Sequence, residues 1–181
     1  MGASEFSELK LLLLGGKSHG MAMLRAVLTI IGVSRVSLVE DARRALDMLC
    51  AENFDAVFFD LTAAPVDGMP FAVAARRSSA AVNPLIPLFL LQDHVRRREV
   101  ELARDLGASD VLTCPLSPKT VMTKLRAALT TPRAFIAAPA FFGPDRRTVA
   151  RGFFGGADRR VQPARKVRLQ KPVGSDKPAP P

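Results

Sequence analysis

Five short apolar runs, at residues 9–14, 33–39, 54–60, 86–91 and 108–113, each lead into a segment whose apolar residues recur at helical spacing. A chain patterned this way has few folds open to it. Runs that stay apolar at consecutive positions belong to strands covered on both faces, and the intervening helices supply the cover. The fold class expected is α/β, a five-stranded parallel sheet with helices on both faces. The helices are expected at 18–31, after Asp41, at about 69–79, at 93–106 and from Ser117 or Pro118 to 129. Asp41 serves as an acidic cap, and Gly32 and Gly107 end the first and fourth.

The third run stops on Asp60 and then turns through Pro65, Asp67 and Gly68. The carboxyl end of a buried parallel strand is where open α/β sheets bind ligands. Asp60 is therefore the anchor of any candidate site.

A chain of 181 residues fits one domain plus an extension. Its formal charge of +9 is unevenly placed: residues 1–130 hold 15 Lys and Arg against 14 Asp and Glu, whereas residues 131–181 hold 11 against 3. The division is a flexible N-terminus at 1–8, a nearly neutral domain at 9–130 and a basic Pro/Gly/Arg-rich tail at 131–181, expected to be extended or disordered. Within the tail, Phe141, Phe142, Gly143, Pro144, Asp145, Arg146 and Arg147 are echoed, one residue longer, by Phe153, Phe154, Gly155, Gly156, Ala157, Asp158, Arg159 and Arg160. Paired phenylalanines beside paired arginines suit a peptide that docks in an apolar groove with acidic rims, and they suit a solubilising tail equally well.

Several chemistries are excluded by pattern. No apolar run approaches the ~20 residues of a membrane helix, and no basic region precedes a long apolar segment as in a secretory signal. Cys50 and Cys114 are too far apart and too few for a disulfide framework or a metal site. A cytoplasmic protein with free thiols is expected, without membrane insertion. Gly16, Lys17 and Ser18 stand between a strand and a helix, but the glycine that opens a nucleotide-binding loop would fall on Leu11, inside the strand. His19 and His94 are expected as exposed loop residues, and Arg96, Arg97 and Arg98 as a solvated helix face. Cys114, at the mouth of the sheet, is either a redox-sensitive thiol beside a cation or a small apolar residue.

Over roughly residues 9–130 the chain resembles the receiver domain of two-component response regulators, the flavodoxin-like fold of the chemotaxis regulator. The resemblance rests on the five-fold strand–helix order, on Asp60 ending the third strand, on Asp67 and Gly68 beyond it and on Pro115 after the fifth strand. The Phe-Gly-Pro-Asp-Arg-Arg tail is similar to a short extension on some stand-alone alphaproteobacterial receivers. What the family implies is transfer of a phosphoryl group from a histidine kinase to the strand-three aspartate. An acidic pair after the first strand holds Mg²⁺, and a hydroxyl and a lysine at the ends of the fourth and fifth strands bind the phosphoryl oxygens.

This chain departs from that pattern at nearly every position. The acidic pair falls on Gly15 and Gly16, the hydroxyl on Gln92, the lysine on Cys114 and the aromatic switch residue on Val111. Asp67 and Asp93 are the remaining carboxylates for a rearranged cluster. Restoring aspartates at both 15 and 16 is expected to add Mg²⁺ affinity but little phosphorylation, since Cys114 supplies no cation.

The expectation is a degenerate, pseudo-receiver signalling protein: not an enzyme, without cofactor or metal, with Asp60 capping its loop. It binds a protein partner, a histidine kinase or another signalling protein, or pairs as a homodimer, through the fourth and fifth helices and the tail. Two alternatives stand beside it. One is a conventional regulator phosphorylated on Asp60 with Mg²⁺. The other is a nucleic-acid-associated protein using the basic arm, although no reading element follows residue 130.

Overall fold

The computed structural model describes residues 6–16, 18–62, 64–93, 97–131, 134–138, 141–145 and 165–167. The first strand, β1 (Lys10–Leu14), buries Leu11 to Leu14 completely, Leu12 and Leu14 toward one face of the sheet and Leu11 and Leu13 toward the other. Each buried leucine contributes about 1.5–3 kcal/mol, comparable to the ~1–2 kcal/mol of backbone entropy lost per ordered residue. Packing on both faces therefore holds the strand. Parallel to it lie β2 (Arg35–Val39), β3 (Ala56–Asp60), β4 (Leu88–Gln92) and β5 (Asp110–Thr113), in the order β2-β1-β3-β4-β5. Phe58 and Phe89 stack at 4.9 Å between β3 and β4.

Helices α1 (His19–Ile30) and α5 (Pro118–Thr130) cover one face, and α2 (Ala42–Ala51), α3 (Phe71–Arg77) and α4 (Arg97–Asp105) cover the other. Their ends follow the sequence signals. Ser18, Asp41 and Ser117 cap α1, α2 and α5 by accepting from Met21, Arg44 and Thr120 amides at 3.2, 2.7 and 3.1 Å. Gly32 and Gly107, at φ of 87° and 92°, close α1 and α4. Helix α3 starts two residues later than its pattern suggests, because Asp67 and Gly68 take positive φ and Val66 bridges to Met69 in a tight turn. No helix among the described residues is long and apolar enough to cross a membrane.

At both ends of the domain the described residues make contacts that the sequence does not signal; residues 1–5 lie outside them. Residues 6–8 are not a flexible lead: Phe6 is 1% exposed, packs with α1 and α5, and lies under the Arg126 guanidinium at 5.8 Å. Beyond residue 130 three short strands are described. Strands β6 (Phe135–Ala138) and β7 (Phe141–Pro144) form an antiparallel hairpin, and β8 (Arg165–Val167) pairs with the other edge of β6. Phe135, Ile136, Gly143 and Pro144 are buried, and β7 lies against α3 and α4. The four-residue strands β6 and β7, the latter ending in Gly and Pro, leave no alternation to read, so burial of Phe135, Ile136, Gly143 and Pro144, not intrinsic pattern, makes them strands.

Arg76, on the last turn of α3, is 4% exposed. It donates to the carbonyls of Pro84, Ile86 and Gly107 at 2.8, 2.7 and 3.1 Å and to Ser109 Oγ at 3.3 Å, with its guanidinium 4.9 Å from the Phe135 ring. Burial pushes it down to about 9, so it remains charged at neutral pH.

Replacement of Phe6 by alanine should lower the unfolding free energy by about 3–5 kcal/mol, the usual cost of emptying a buried phenylalanine site. The midpoint of urea unfolding measures it, and a loss under about 1 kcal/mol would place Phe6 outside the core.

Candidate functional site

Strand order reverses between β1 and β3, and in sheets of this kind the crevice outside the carboxyl ends at that point receives ligands. Asp60, the last residue of β3, lies there and is 7% exposed. A carboxylate so buried needs hydrogen-bond partners. Its Oδ1 accepts from the Thr62 amide at 3.0 Å and the Thr62 hydroxyl at 2.5 Å, and its Oδ2 accepts from Ser18 Oγ at 3.4 Å. The first pair is a local Asx-type turn, Asp followed two residues on by Thr, and that spacing was open to reading in the sequence.

Glycine at position 15 is what lets Asp60 lie this way. A Cβ there would stand 2.6 Å from Asp60 Oδ2 and 2.7 Å from Met21 Cε, whereas at Gly16 it would meet nothing within 4 Å. The two glycines are therefore not equivalent. An aspartate at 16 fits as the backbone stands; one at 15 requires Asp60 and Met21 to move, so restoring both carboxylates is not the simple addition the sequence suggested.

Asp67 and Asp93 have partners of their own. Asp67 takes an ion pair with Arg43 of α2. Asp93, one residue past β4, instead faces Cys114: a Cβ at Gly20 would lie 2.8 Å from Asp93 Oδ1 and 3.2 Å from Cys114 Sγ, so this buried glycine of α1 leaves room for both. Among the described residues no three His, Cys, Asp or Glu side chains gather as a metal cluster. Burial pushes the Cys114 thiol up, and the hydrogen bond to Asp93 and its negative charge push it further. The sequence allowed a thiol activated by a cation; the neighbour is an anion.

Gln92 ends β4 opposite Thr113, its main-chain carbonyl accepting from the Cys114 amide at 3.0 Å. Its Oε1 is buried without a hydrogen-bond partner among the described residues. Val111 points into the core shared by α2, α3 and α4. His19 opens α1 and is exposed; it is not a loop residue. In the tail, Phe141 pairs with Ala138 in the hairpin and Phe142 sits 5.9 Å from Phe135. His94, Arg96, Arg146, Arg147, Phe153, Phe154, Arg159 and Arg160 lie outside the described residues.

No protein-family model matches the chain. Response regulator MprA of Mycolicibacterium vanbaalenii is 33% identical over 113 residues, 60% of this chain and 46% of that protein, so the chain spans under half of its relative. Among solved structures, the receiver domain of sensor histidine kinase PA1611 from Pseudomonas aeruginosa, with a magnesium ion in its active-site cleft, superposes with a TM-score of 0.57 at 22% identity over 68% of this chain and 98% of that one. A response regulator from Desulfuromonas acetoxidans gives 0.58 at 14% over 67% and 97%. Chemotaxis regulator CheY4 of Vibrio cholerae gives 0.53 at 22% over 67% and 99%. The five-stranded unit has the receiver fold, and about a third of the chain lies beyond what these receivers match.

In a Cys50→Ser background, alkylation of Cys114 by iodoacetamide should reach half its maximal rate above the ordinary thiol range. Asp93→Asn removes the charge that opposes the thiolate, so the half-maximal pH should fall. An unchanged profile would separate Asp93 from Cys114.

Proposed function

We propose that this protein is a receiver-like signalling module that acts through protein contacts and does not depend on Mg²⁺-assisted phosphorylation of Asp60. The observation that carries the reading is the set of partners around that carboxylate. Asp60 already accepts three hydrogen bonds from Thr62 and Ser18. Mg²⁺ demands near-octahedral oxygen ligation and is usually held by one or two free carboxylates together with phosphates and waters. One engaged carboxylate beside Gly15 and Gly16 does not fit it.

The phosphoryl side of the site is equally altered. Transfer to an aspartate brings two anions together, and catalysis of such steps rests on positioned positive charge. At the end of β5 stands Cys114, held toward its neutral thiol by burial and by Asp93. A phosphoryl group arriving there meets a further carboxylate in place of a cation.

A protein partner, a histidine kinase or another signalling protein, or a second copy of the chain, is the ligand this reading calls for. Leu102 on α4 is 51% exposed, an apolar contact on the helix that the tail hairpin flanks. The second reading, a conventional response regulator, draws on the placement of Asp60 at the carboxyl end of β3 and on the magnesium ion in the cleft of the PA1611 receiver.

Incubation with acetyl phosphate and Mg²⁺, followed by intact mass, distinguishes the two. The expected spectrum is that of the unmodified chain. A phosphoryl adduct that disappears in Asp60→Asn would establish the conventional reading.

A further inference from the structure

Asp60 and Arg76 are the buried charged side chains among the described residues, and only Asp60 belongs to the crevice. Arg76 gathers two segments that are distant in sequence. Its Nη1 ties down the Pro84 and Ile86 carbonyls on the entry to β4, its Nε holds the Gly107 carbonyl in the turn from α4 to β5, and its Nη2 meets Ser109 at the start of β5. Neutral oxygens supply these contacts and stand in for the water that burial takes from the guanidinium.

Phe135 of β6 covers the guanidinium at 4.9 Å. Its neighbour in the hairpin, Phe142, brings its main-chain oxygen to within 3.3 Å of where a Cβ on Gly107 would stand, and Arg76 Cγ is 3.1 Å from the same point. Gly107, at positive φ, is the residue whose amide closes the last turn of α4 on Arg104. One glycine thus touches the buried cation, the end of α4 and the hairpin.

We propose that the β6–β7 hairpin is a strap whose docking sets the packing of α4 and of the α4–β5 turn, with Phe135 on Arg76 as its point of attachment. Lifting the strap admits water to the guanidinium and to the Gly107 carbonyl, so the end of α4 loosens while β1 and β3 stay closed. Local opening of this kind needs a physically shared element, and Gly107 and Arg76 provide it. A ligand that takes hold of the lifted strap shifts α4 by mass action alone. The device is independent of whether Asp60 accepts a phosphoryl group.

Hydrogen exchange read by mass spectrometry on the full, unphosphorylated chain tests it. In Phe135→Ala, peptides spanning 97–107 and 134–145 should exchange faster together, by about tenfold or more, while those spanning 10–14 and 56–60 keep the wild-type rate. Phe135→Leu, which keeps apolar cover but removes the π face, should fall between. Acceleration confined to 134–145, or no change in either segment, overturns the coupling. Loss of protection in 10–14 and 56–60 as well, in both variants, overturns the separability of the strap.

Discussion

Burial of β1 and β3 on both faces is the constraint from which the rest of the molecule follows. With Leu11 to Leu14 and Ala56 to Phe59 closed off by helices on either side, polar chemistry is confined to the strand ends. Asp60 is the last residue of β3, and being 7% exposed it cannot remain unsatisfied. Thr62 and Ser18 answer that need from the loop and from the cap of α1. The space for this arrangement comes from Gly15, whose missing side chain Asp60 overlies. Glycine at 15 and inward satisfaction of Asp60 are thus two sides of one packing solution.

The same logic accounts for the fifth strand. Cys114 and Asp93 share the pocket that Gly20 leaves open on α1. A lysine in place of Cys114 would find a carboxylate waiting, yet as the chain stands the thiol is driven toward its neutral form. The end of β5 thus presents a carboxylate beside a thiol driven toward its neutral form.

Much of the fold was legible because the signals were local and redundant. Consecutive apolar residues in β1, β3 and β4, side-chain caps at Ser18, Asp41 and Ser117, and glycines at 32 and 107 each point to the same architecture. The placement of Asp60 as the last residue of β3, with Asp67 and Gly68 in the loop beyond it, was legible too. Their contacts were not. That Asp67 turns to Arg43, that Asp93 turns to Cys114 and that Asp60 fills the space over Gly15 depend on rotamers and on segments far apart in sequence. Phe6 and the hairpin went unread for another reason: a lone aromatic ahead of β1 and strands of four residues carry no periodicity, and only the surfaces they cover give them structure. Arg76, which no sequence motif singles out, is the buried joint between α3, the β5 entry and the tail.

On the proposed reading, a buried Asp60 carboxylate already satisfied by Thr62 and Ser18 leaves the crevice of this receiver fold without a place for a divalent ion. The most direct measurement of that claim is a Mg²⁺ titration followed by amide proton–nitrogen correlation spectra, watching Gly15, Gly16, Asp60 and Thr62. The account predicts that these resonances stay in place at millimolar Mg²⁺. A saturable shift of the four together, absent in Asp60→Asn, would contradict it.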